Sequence, residues 1–291
     1  MNPPKYSSYD NVDLDEPNNL KYPIPDKLYK YTRIHNAKDL LYDNIIYLPE
    51  ITELNDPYEG ELLYNYELLE NTYFKSKKEE FDKEILGETG EDYEKDDLYF
   101  TLRERVLKKQ SKTYLEELKK YLHEGIYFIC LSSTNKSNSL WAHYANNHKG
   151  ICIEYNLNHP NYKYFRDLCF KVEYVKKSDD TKELKTHIKN NKYSRNFILK
   201  PFLRKSEEWN YEKEWRIILT EYGILHNKGF NPYKPYINFI KPIKVHMGLN
   251  ISRKNENIIK EICEIKNIPL CKAKKTNRSY DFDFEDTQLQ K

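Results

Sequence analysis

Glycine is scarce in this sequence: only 8 of its 291 residues are Gly. Rossmann and P-loop proteins use glycine-rich loops to bring backbone N–H groups close to phosphates, and neither motif occurs here. The sequence also has no nucleophile-elbow serine and no histidine cluster with the spacing of metal ligands. Backbone-mediated phosphate binding of those two kinds is therefore nearly excluded, and no metal site is predicted.

Cysteines are few and long apolar runs are missing. The five cysteines are an odd number without metal-like spacing, which indicates neither a disulfide framework nor a zinc site. No apolar run is long enough to span a membrane, and no signal peptide opens the chain. We therefore expect a cytoplasmic protein with reduced thiols and no membrane partner.

The sequence also has no large excess of either positive or negative charge. The 48 basic and 46 acidic residues leave a net charge of +2 and are interleaved, so no patch demands a nucleic-acid partner. The mean hydropathy of −0.92 is low, but 27 Tyr and 12 Phe are unlike a disordered chain. We expect a folded core in which tyrosine supplies much of the apolar surface.

Periodicity predicts one α+β domain with a mixed, mainly antiparallel sheet. We assign residues 1–26 to an irregular arm, 27–276 to the domain, 62–123 within it to a helical insert, and 277–291 to a polar tail. Strands are predicted at residues 28–34, 45–48, 126–131, 151–155, 170–175, 214–220, 236–240, 243–248 and 268–273. Helices are predicted at residues 36–42, around Trp141 and Tyr144, and at 182–204 and 255–266.

The first candidate site is the segment from Lys205 to Arg216, in which Lys205, Trp209 and Tyr211 precede the two glutamates. In a strand, Glu212, Glu214 and Arg216 share one face, while Trp215 lies on the other. One interpretation is a cross-strand ion pair on a half-exposed sheet. The other is a carboxylate in a cleft, where it stabilises developing positive charge or holds a hydroxyl group. The residues alone leave both open.

Two further groups of residues combine aromatic rings with polar groups. Trp141 and Tyr144 are three residues apart and share a helix face, either in the core or as a wall for nicotinamide or adenine. His143 between them is weak evidence for a site. The other group joins a strand to an Asn-Asp-Pro sequence, which is either a plain turn or a set of polar groups beside a pocket, with Arg33 or Lys30 suited to phosphate. Its members are Tyr29, Lys30, Tyr31, Arg33, Asn55 and Asp56.

Four motifs, in this order, resemble a bacterial family catalogued as domain-of-unknown-function family 2971, which is often associated with phage defence or abortive infection. The resemblance spans about residues 28–275. The motifs are Leu28–Tyr31, Asn55–Glu59, Trp141–Ala145 with Gly150–Tyr155, and Trp209–Arg216.

That family is similar, more distantly, to ADP-ribosyltransferases of the DNA-modifying toxin type. The resemblance implies NAD as substrate, Glu214 as the catalytic carboxylate and Glu212 as the second choice. It also implies that Tyr31, Trp141 or Tyr144 stacks on nicotinamide and that Arg33 meets the pyrophosphate. A carboxylate suits this chemistry because cleavage of the nicotinamide–ribose bond creates an oxocarbenium-like centre. Such enzymes usually have His or Arg on the first strand, where this chain has Tyr-Lys-Tyr.

Three functions follow as hypotheses. The first is an ADP-ribosyltransferase-like toxin, a glycosyltransferase that uses NAD in antiviral defence and modifies a nucleic acid or a protein. The second is a non-catalytic module that senses a ligand or a phage protein, with the helical insert as partner surface. The third is a nuclease assembled from His143, Asp56 and Glu59. For the toxin hypothesis, the expected regulatory partner is a phage trigger or an antitoxin.

Overall fold

The apolar and alternating runs form fourteen β-strands in the part of the chain that the computed structural model describes. That part comprises residues 12–13, 22–69, 71–73, 75, 77, 109–120, 123, 125–190, 193–220, 235–277 and 279–287. The strands are β1 Val12–Asp13, β2 Leu28–Thr32, β3 Ile45–Tyr47, β4 Ile126–Ser132, β5 Ile151–Tyr155, β6 Cys169–Lys171, β7 Glu173–Val175, β8 Tyr193–Ser194, β9 Arg204–Ser206, β10 Glu214–Thr220, β11 Tyr236–Asn238, β12 Lys244–Met247, β13 Leu270–Lys275 and β14 Phe282–Asp286.

Helices fall irregularly between these strands. The α-helices with defined bounds are α1 Asn138–His143, α2 Lys163–Asp167, α3 Thr181–Asn190, α4 Arg195–Leu199 and α5 Arg253–Lys266. Residues 66–69, 71–73 and 109–120 are also helical, within the predicted insert; residues 78–108 of that insert lie outside the described part. Short 3-10 helices are Ile34–Asn36, Ile51–Glu53, Pro160–Tyr162, Lys200–Leu203 and Glu207–Glu212, and Lys38–Asp43 forms a π-helix.

Eight strands form one sheet in the order β14-β13-β12-β5-β2-β4-β10-β6. All neighbours are antiparallel except β12 and β13, which are parallel. Strands β4 and β5 at the centre are almost entirely buried, as their continuous apolar runs require. The predicted α+β fold with a mixed, mostly antiparallel sheet is therefore confirmed.

The chain divides into two compact units. One comprises Leu20–Pro57, Gly125–Tyr174 and Lys205–Lys291 and contains the eight-stranded sheet. The other comprises Met1–Asn19, Tyr58–Glu124 and Val175–Arg204. Its described residues are tied together by buried Asp180, which accepts two hydrogen bonds from Arg204 at 2.8 and 2.7 Å and one from the backbone N–H of Leu63.

The sheet has a different kind of core on each face. Ile129, Ile153 and Ile217 belong to the larger, aliphatic cluster on one face. The smaller cluster on the other face is aromatic and includes Tyr31 and Trp141. Because alternate residues of a strand point to opposite faces, Trp215, Ile217 and Leu219 join the aliphatic cluster, whereas Glu214 and Arg216 face the other way.

Three local predictions were wrong. Residues 182–204 do not form one helix but α3, β8, α4 and a 3-10 helix, whose Pro201 has no N–H for a helical hydrogen bond. Asn36 does not cap the short helix: it ends a 3-10 helix and its side-chain amide donates to Thr32, while a π-helix with Ala37 as its N-cap residue begins at Lys38. The polar tail contains β14, because its alternating phenylalanines include buried Phe282, which packs edge-on against Trp141.

Gly150 offers a test of how closely the sheet packs against the turn after α1. A methyl group here would lie 2.3 Å from the carbonyl oxygen of Thr32 and 3.0 Å from backbone atoms of Ala145. Backbone atoms cannot rotate away, so we expect Gly150→Ala to lower the unfolding free energy by about 1–3 kcal/mol. Urea unfolding measures this, and unchanged stability would contradict the packing described.

Candidate functional site

Glu214 and Arg216 form a buried ion pair at the beginning of β10. The guanidinium donates to both carboxylate oxygens, from Nε to Oε1 at 2.9 Å and from the second terminal nitrogen to Oε2 at 3.0 Å. Arg216 is fully buried and Glu214 is 5% exposed. An arginine–carboxylate pair of this bidentate form fixes the orientation of both groups.

Lys205 joins this pair to a second carboxylate. Its ammonium lies 2.6 Å from Oε2 of Glu212 and 3.1 Å from Oε2 of Glu214, and its side chain is 2% exposed. The same ammonium lies 5.0 Å from the centre of the Trp209 ring, within the range of a cation–π contact. Both buried carboxylates thus contact the lysine, and Glu214 also contacts the arginine.

Glu212 reaches the cluster from a helix and not from the strand. It is the last residue of the 3-10 helix Glu207–Glu212, and left-handed Lys213 (φ 45°) turns the chain into β10. The prediction that Glu212 lies on the strand was therefore wrong, although its carboxylate does meet the same lysine as that of Glu214. Ser132 at the end of β4 holds the turn by donating to the backbone carbonyl of Glu212 at 2.6 Å.

A hydrogen-bonded chain leads from Glu212 to the surface. The Tyr144 hydroxyl donates to Oε1 of Glu212 at 2.6 Å and accepts from the side-chain amide of Asn55 at 2.7 Å. Asn55 is exposed, whereas Glu212 is buried. The predicted residues Asn55, Tyr144, Glu212, Glu214 and Arg216 are therefore brought together in one cluster.

The two carboxylates differ in acidity. Burial alone raises the pKa of Glu214, but Arg216 and Lys205 outweigh it and lower the pKa to about 2. For Glu212, burial and the nearby charge of Glu214 exceed the effect of Lys205, and its pKa is raised above the ordinary value. Glu214 is thus a permanent anion at neutral pH, while Glu212 binds a proton more readily than a solvent-exposed glutamate.

The predicted aromatic residues lie on the same face of the sheet but pack mainly against one another. Tyr31 and Trp141 meet edge to face at a centroid distance of 5.3 Å, and Trp141 is fully buried. Their polar atoms are occupied, because Tyr31 donates to the carbonyl of Thr134 and Trp141 to that of Asn135. Tyr29 lies on the same strand as Tyr31 and is also buried.

The remaining predicted residues are Arg33, His143 and Asp56, of which His143 lies beside Tyr211 at a ring-centroid distance of 6.4 Å. Arg33 precedes the 3-10 helix at Ile34 and is exposed, as is His143 at the end of α1. Asp56 is buried. Among the residues that the structure describes, no group of three or more His, Cys, Asp or Glu side chains has the geometry of a metal site.

Two elements of the site were not predicted. Lys205 begins the first candidate segment, but its position in the sequence did not predict that its side chain is buried. A buried lysine needs an anionic partner, and here it contacts Glu212 and Glu214. The second element is a pocket of about 510 Å³ that includes Glu214, Tyr174 and Lys213 in its lining. Tyr174 connects this pocket to the cluster, since its hydroxyl accepts the backbone N–H of Glu214 at 2.8 Å.

Fold and site together define an α+β protein with a charge-compensated pair of carboxylates at one end of its sheet. Residues 140–217 match the model of a family described as "Protein of unknown function (DUF2971)", which confirms the predicted family resemblance over that segment. The matched segment contains Tyr144, Lys205, Glu212, Glu214 and Arg216. No curated protein and no solved structure gave a significant match. No helix in the described residues is long and apolar enough to cross a membrane.

Acid should weaken the fold through Glu214. Because its folded pKa of about 2 is below the ordinary 4.5, its ionised form stabilises the fold above pH 4.5, and this stabilisation is lost as the pH falls towards 2. We expect Glu214→Gln to cost about 3–5 kcal/mol at neutral pH, since it leaves buried charge uncompensated. Guanidinium unfolding at several pH values should show this difference from wild type narrowing between pH 4.5 and 2.

The control for this titration is Glu208→Gln, at an exposed position of the preceding 3-10 helix. Its unfolding free energy should stay within about 0.5 kcal/mol of wild type throughout. A difference between wild type and Glu214→Gln that is constant over the acid range would contradict the assigned pKa.

Removal of the Lys205 ammonium should lower the unfolding free energy as much as removal of the Glu214 carboxylate. Lys205→Met leaves Glu212 and Glu214 close together with Arg216 as the remaining cation, and we expect a loss of about 3–5 kcal/mol in unfolding free energy. The matched change Lys213→Met, at an exposed residue of the same segment, should cost less than about 0.5 kcal/mol. Equal stability of the two variants would show that Lys205 is not the shared partner.

Proposed function

We propose that this protein transfers ADP-ribose from NAD, with Glu212 and Glu214 as its catalytic carboxylates. The observation that carries the proposal is the geometry of two buried carboxylates around one lysine ammonium, 2.6 Å from Glu212 and 3.1 Å from Glu214, and their pKa values shift in opposite directions. Pairs of titratable groups whose environments separate their pKa values are typical of acid–base sites. The resemblance to ADP-ribosyltransferases of the toxin type supports the choice of substrate.

The chemistry assigns a separate role to each carboxylate. The bond between nicotinamide and ribose C1′ breaks, its electron pair leaves with nicotinamide, and positive charge develops on the sugar. Glu214, ionised even in acid, stabilises that charge electrostatically. A nucleophilic oxygen or nitrogen of the acceptor then forms the new bond to C1′, and its proton passes to Glu212, whose raised pKa suits a general base.

The contacts of Glu212 fit the role of proton acceptor. The hydroxyl of Tyr144 donates to its buried carboxylate and is itself held by the side-chain amide of Asn55, so the orientation of the carboxylate is fixed. We assign the acceptor to nucleic acids or proteins and the activity to antiviral defence in the cytoplasm, with a phage component or an antitoxin as regulator. These assignments rest on the family resemblance.

The direct test is release of nicotinamide from NAD in the presence of DNA, RNA and cell lysate. Wild type should release nicotinamide, and Glu214→Gln should lower the rate about 10²–10³-fold, the typical effect of removing one electrostatic transition-state contact. Glu212→Gln, which keeps the size of the side chain beside Tyr144 and Lys205, should also lower it. Circular dichroism identifies any variant that fails to fold.

Glu208→Gln is the matched control, because this exposed glutamate lies four residues before Glu212 in the same 3-10 helix. Its rate should equal that of wild type. Absence of nicotinamide release by wild type with every acceptor mixture would overturn the proposal.

A non-catalytic sensing module is the second candidate, and a specific contact favours it. Both oxygens of Glu214 are occupied by Arg216, and one also by Lys205, as in an ion pair whose role is purely structural. Under this alternative, a folded Glu214→Gln variant keeps its effect on host cells. Under the transferase proposal, the same variant loses toxicity.

A further inference from the structure

The pocket beside the carboxylate cluster has features of a ligand site. It has a volume of about 510 Å³, within the range of pockets that hold small molecules. It lies where β10 begins and β4 has ended, so that Glu214 and Ser133 contribute to its wall. Its other polar lining residues are Tyr22, Lys171, Glu173, Tyr174, Asn210 and Lys213.

The charges that face this pocket favour an anion. Glu214 is compensated by Arg216 and Lys205, which leaves Lys171 and Lys213 against Glu173 alone. Both lysines are exposed. Lys213 has no ion pair among the residues that the structure describes, so its ammonium is available to a ligand.

Hydrogen-bond donors surround the same space. The hydroxyl of Tyr174 accepts the backbone N–H of Glu214, and within the described part of the chain its own hydrogen has no acceptor. The side-chain amide of Asn210 supplies further donors at the rim. Donors together with lysine ammonium groups match the acceptor oxygens of a phosphate.

An aromatic ring lies beside these donors. Tyr22 is 43% exposed, and the ammonium of Lys171 lies 5.3 Å from its ring centre. The Tyr22 hydroxyl donates to Glu173 at 3.2 Å, which holds the ring at the pocket. Exposed aromatic rings next to cationic side chains stack readily on nucleobases.

We propose that this pocket binds a phosphate-bearing nucleotide unit, with the phosphate at Lys171 and Lys213 and the base against Tyr22. The inference deepens the proposed function, and rests on it, in that the pocket is taken as the substrate-binding part of the same site as Glu214. The nucleotide unit belongs either to a free nucleotide or to a single-stranded nucleic acid, which share this chemistry.

The test compares adenosine monophosphate with adenosine by isothermal titration calorimetry on the full chain. Wild type should bind the monophosphate at least about tenfold more tightly than the nucleoside, because only the former offers charged acceptors to the lysines. In Lys171→Gln/Lys213→Gln this ratio should fall close to one. It should be unchanged in Lys149→Gln, which removes an exposed lysine that is not among the pocket residues.

A ratio near one in wild type, or an undiminished ratio in the double variant, overturns the proposal. Titration with a short single-stranded oligonucleotide identifies the source of the nucleotide: tighter binding than that of the monophosphate, lost in the double variant, assigns the pocket to nucleic acid. Weaker binding assigns it to a free nucleotide. Because binding is measured without turnover, a protein that binds but releases no nicotinamide refutes the transferase and leaves this site standing.

Discussion

Two carboxylates inside one protein core must be compensated by charge, and this constraint accounts for the arrangement around β10. Removing Glu212 and Glu214 from water is costly, and each would accept a proton without a cationic partner. Arg216 and Lys205 supply those partners at hydrogen-bonding distance. The compensation is unequal, since Glu214 contacts both cations and Glu212 only the lysine. The two cations lower the pKa of Glu214, whereas burial and the charge of Glu214 raise that of Glu212.

The sheet provides the rigid frame that this compensation needs. Strand β10 pairs along its whole length with β4, and Glu214 lies opposite Ser132 in that register. Ser132 in turn bonds the carbonyl of Glu212, so one residue of β4 holds both ends of the turn through Lys213. The aliphatic cluster fixes the reverse face of β10. Charged groups held by strands in this way lose little orientation to thermal motion.

Much of this arrangement could be read from the sequence because it depends on local patterns. The alternation of β10 predicts which residues face the carboxylate side, and the continuous apolar runs predict β4 and β5. The contacts of Lys205 could not be predicted, because they depend on the turn at Lys213. The alternating positions of Glu212, Glu214 and Arg216 predict a continuous strand there. The two-residue spacing of Glu212 and Glu214 is the same whether both lie in one strand or, as here, Glu212 ends a helix and Glu214 begins a strand. The edge strand β14 was missed because its surroundings are polar.

A second buried polar group shows that ionisable side chains on this face are not confined to β10. His246 lies between Glu154 and Cys271, with its two ring nitrogens 3.0 Å from a carboxylate oxygen and 3.0 Å from the sulfur. Cys271 is fully buried, and burial raises its thiol pKa to about 12, which keeps it protonated. Both ring nitrogens of His246 therefore have partners on neighbouring strands of the sheet. The β10 cluster differs in that Glu214 also lines a pocket.

The occupied state of Glu214 bears on what a carboxylate in this position is able to do. A side chain with a pKa of about 2 and both oxygens engaged is a poor base and a poor nucleophile, because each role requires a free lone pair of useful basicity. It is, however, a preorganised charge, and in the proposed transferase it acts electrostatically with its field reduced by Arg216 and Lys205. The proposed transferase therefore assigns proton transfer to Glu212, the one of the two glutamates with a raised pKa. In that proposal, the ion pair with Arg216 is what separates the roles of the two glutamates, because it lowers the pKa of Glu214 alone.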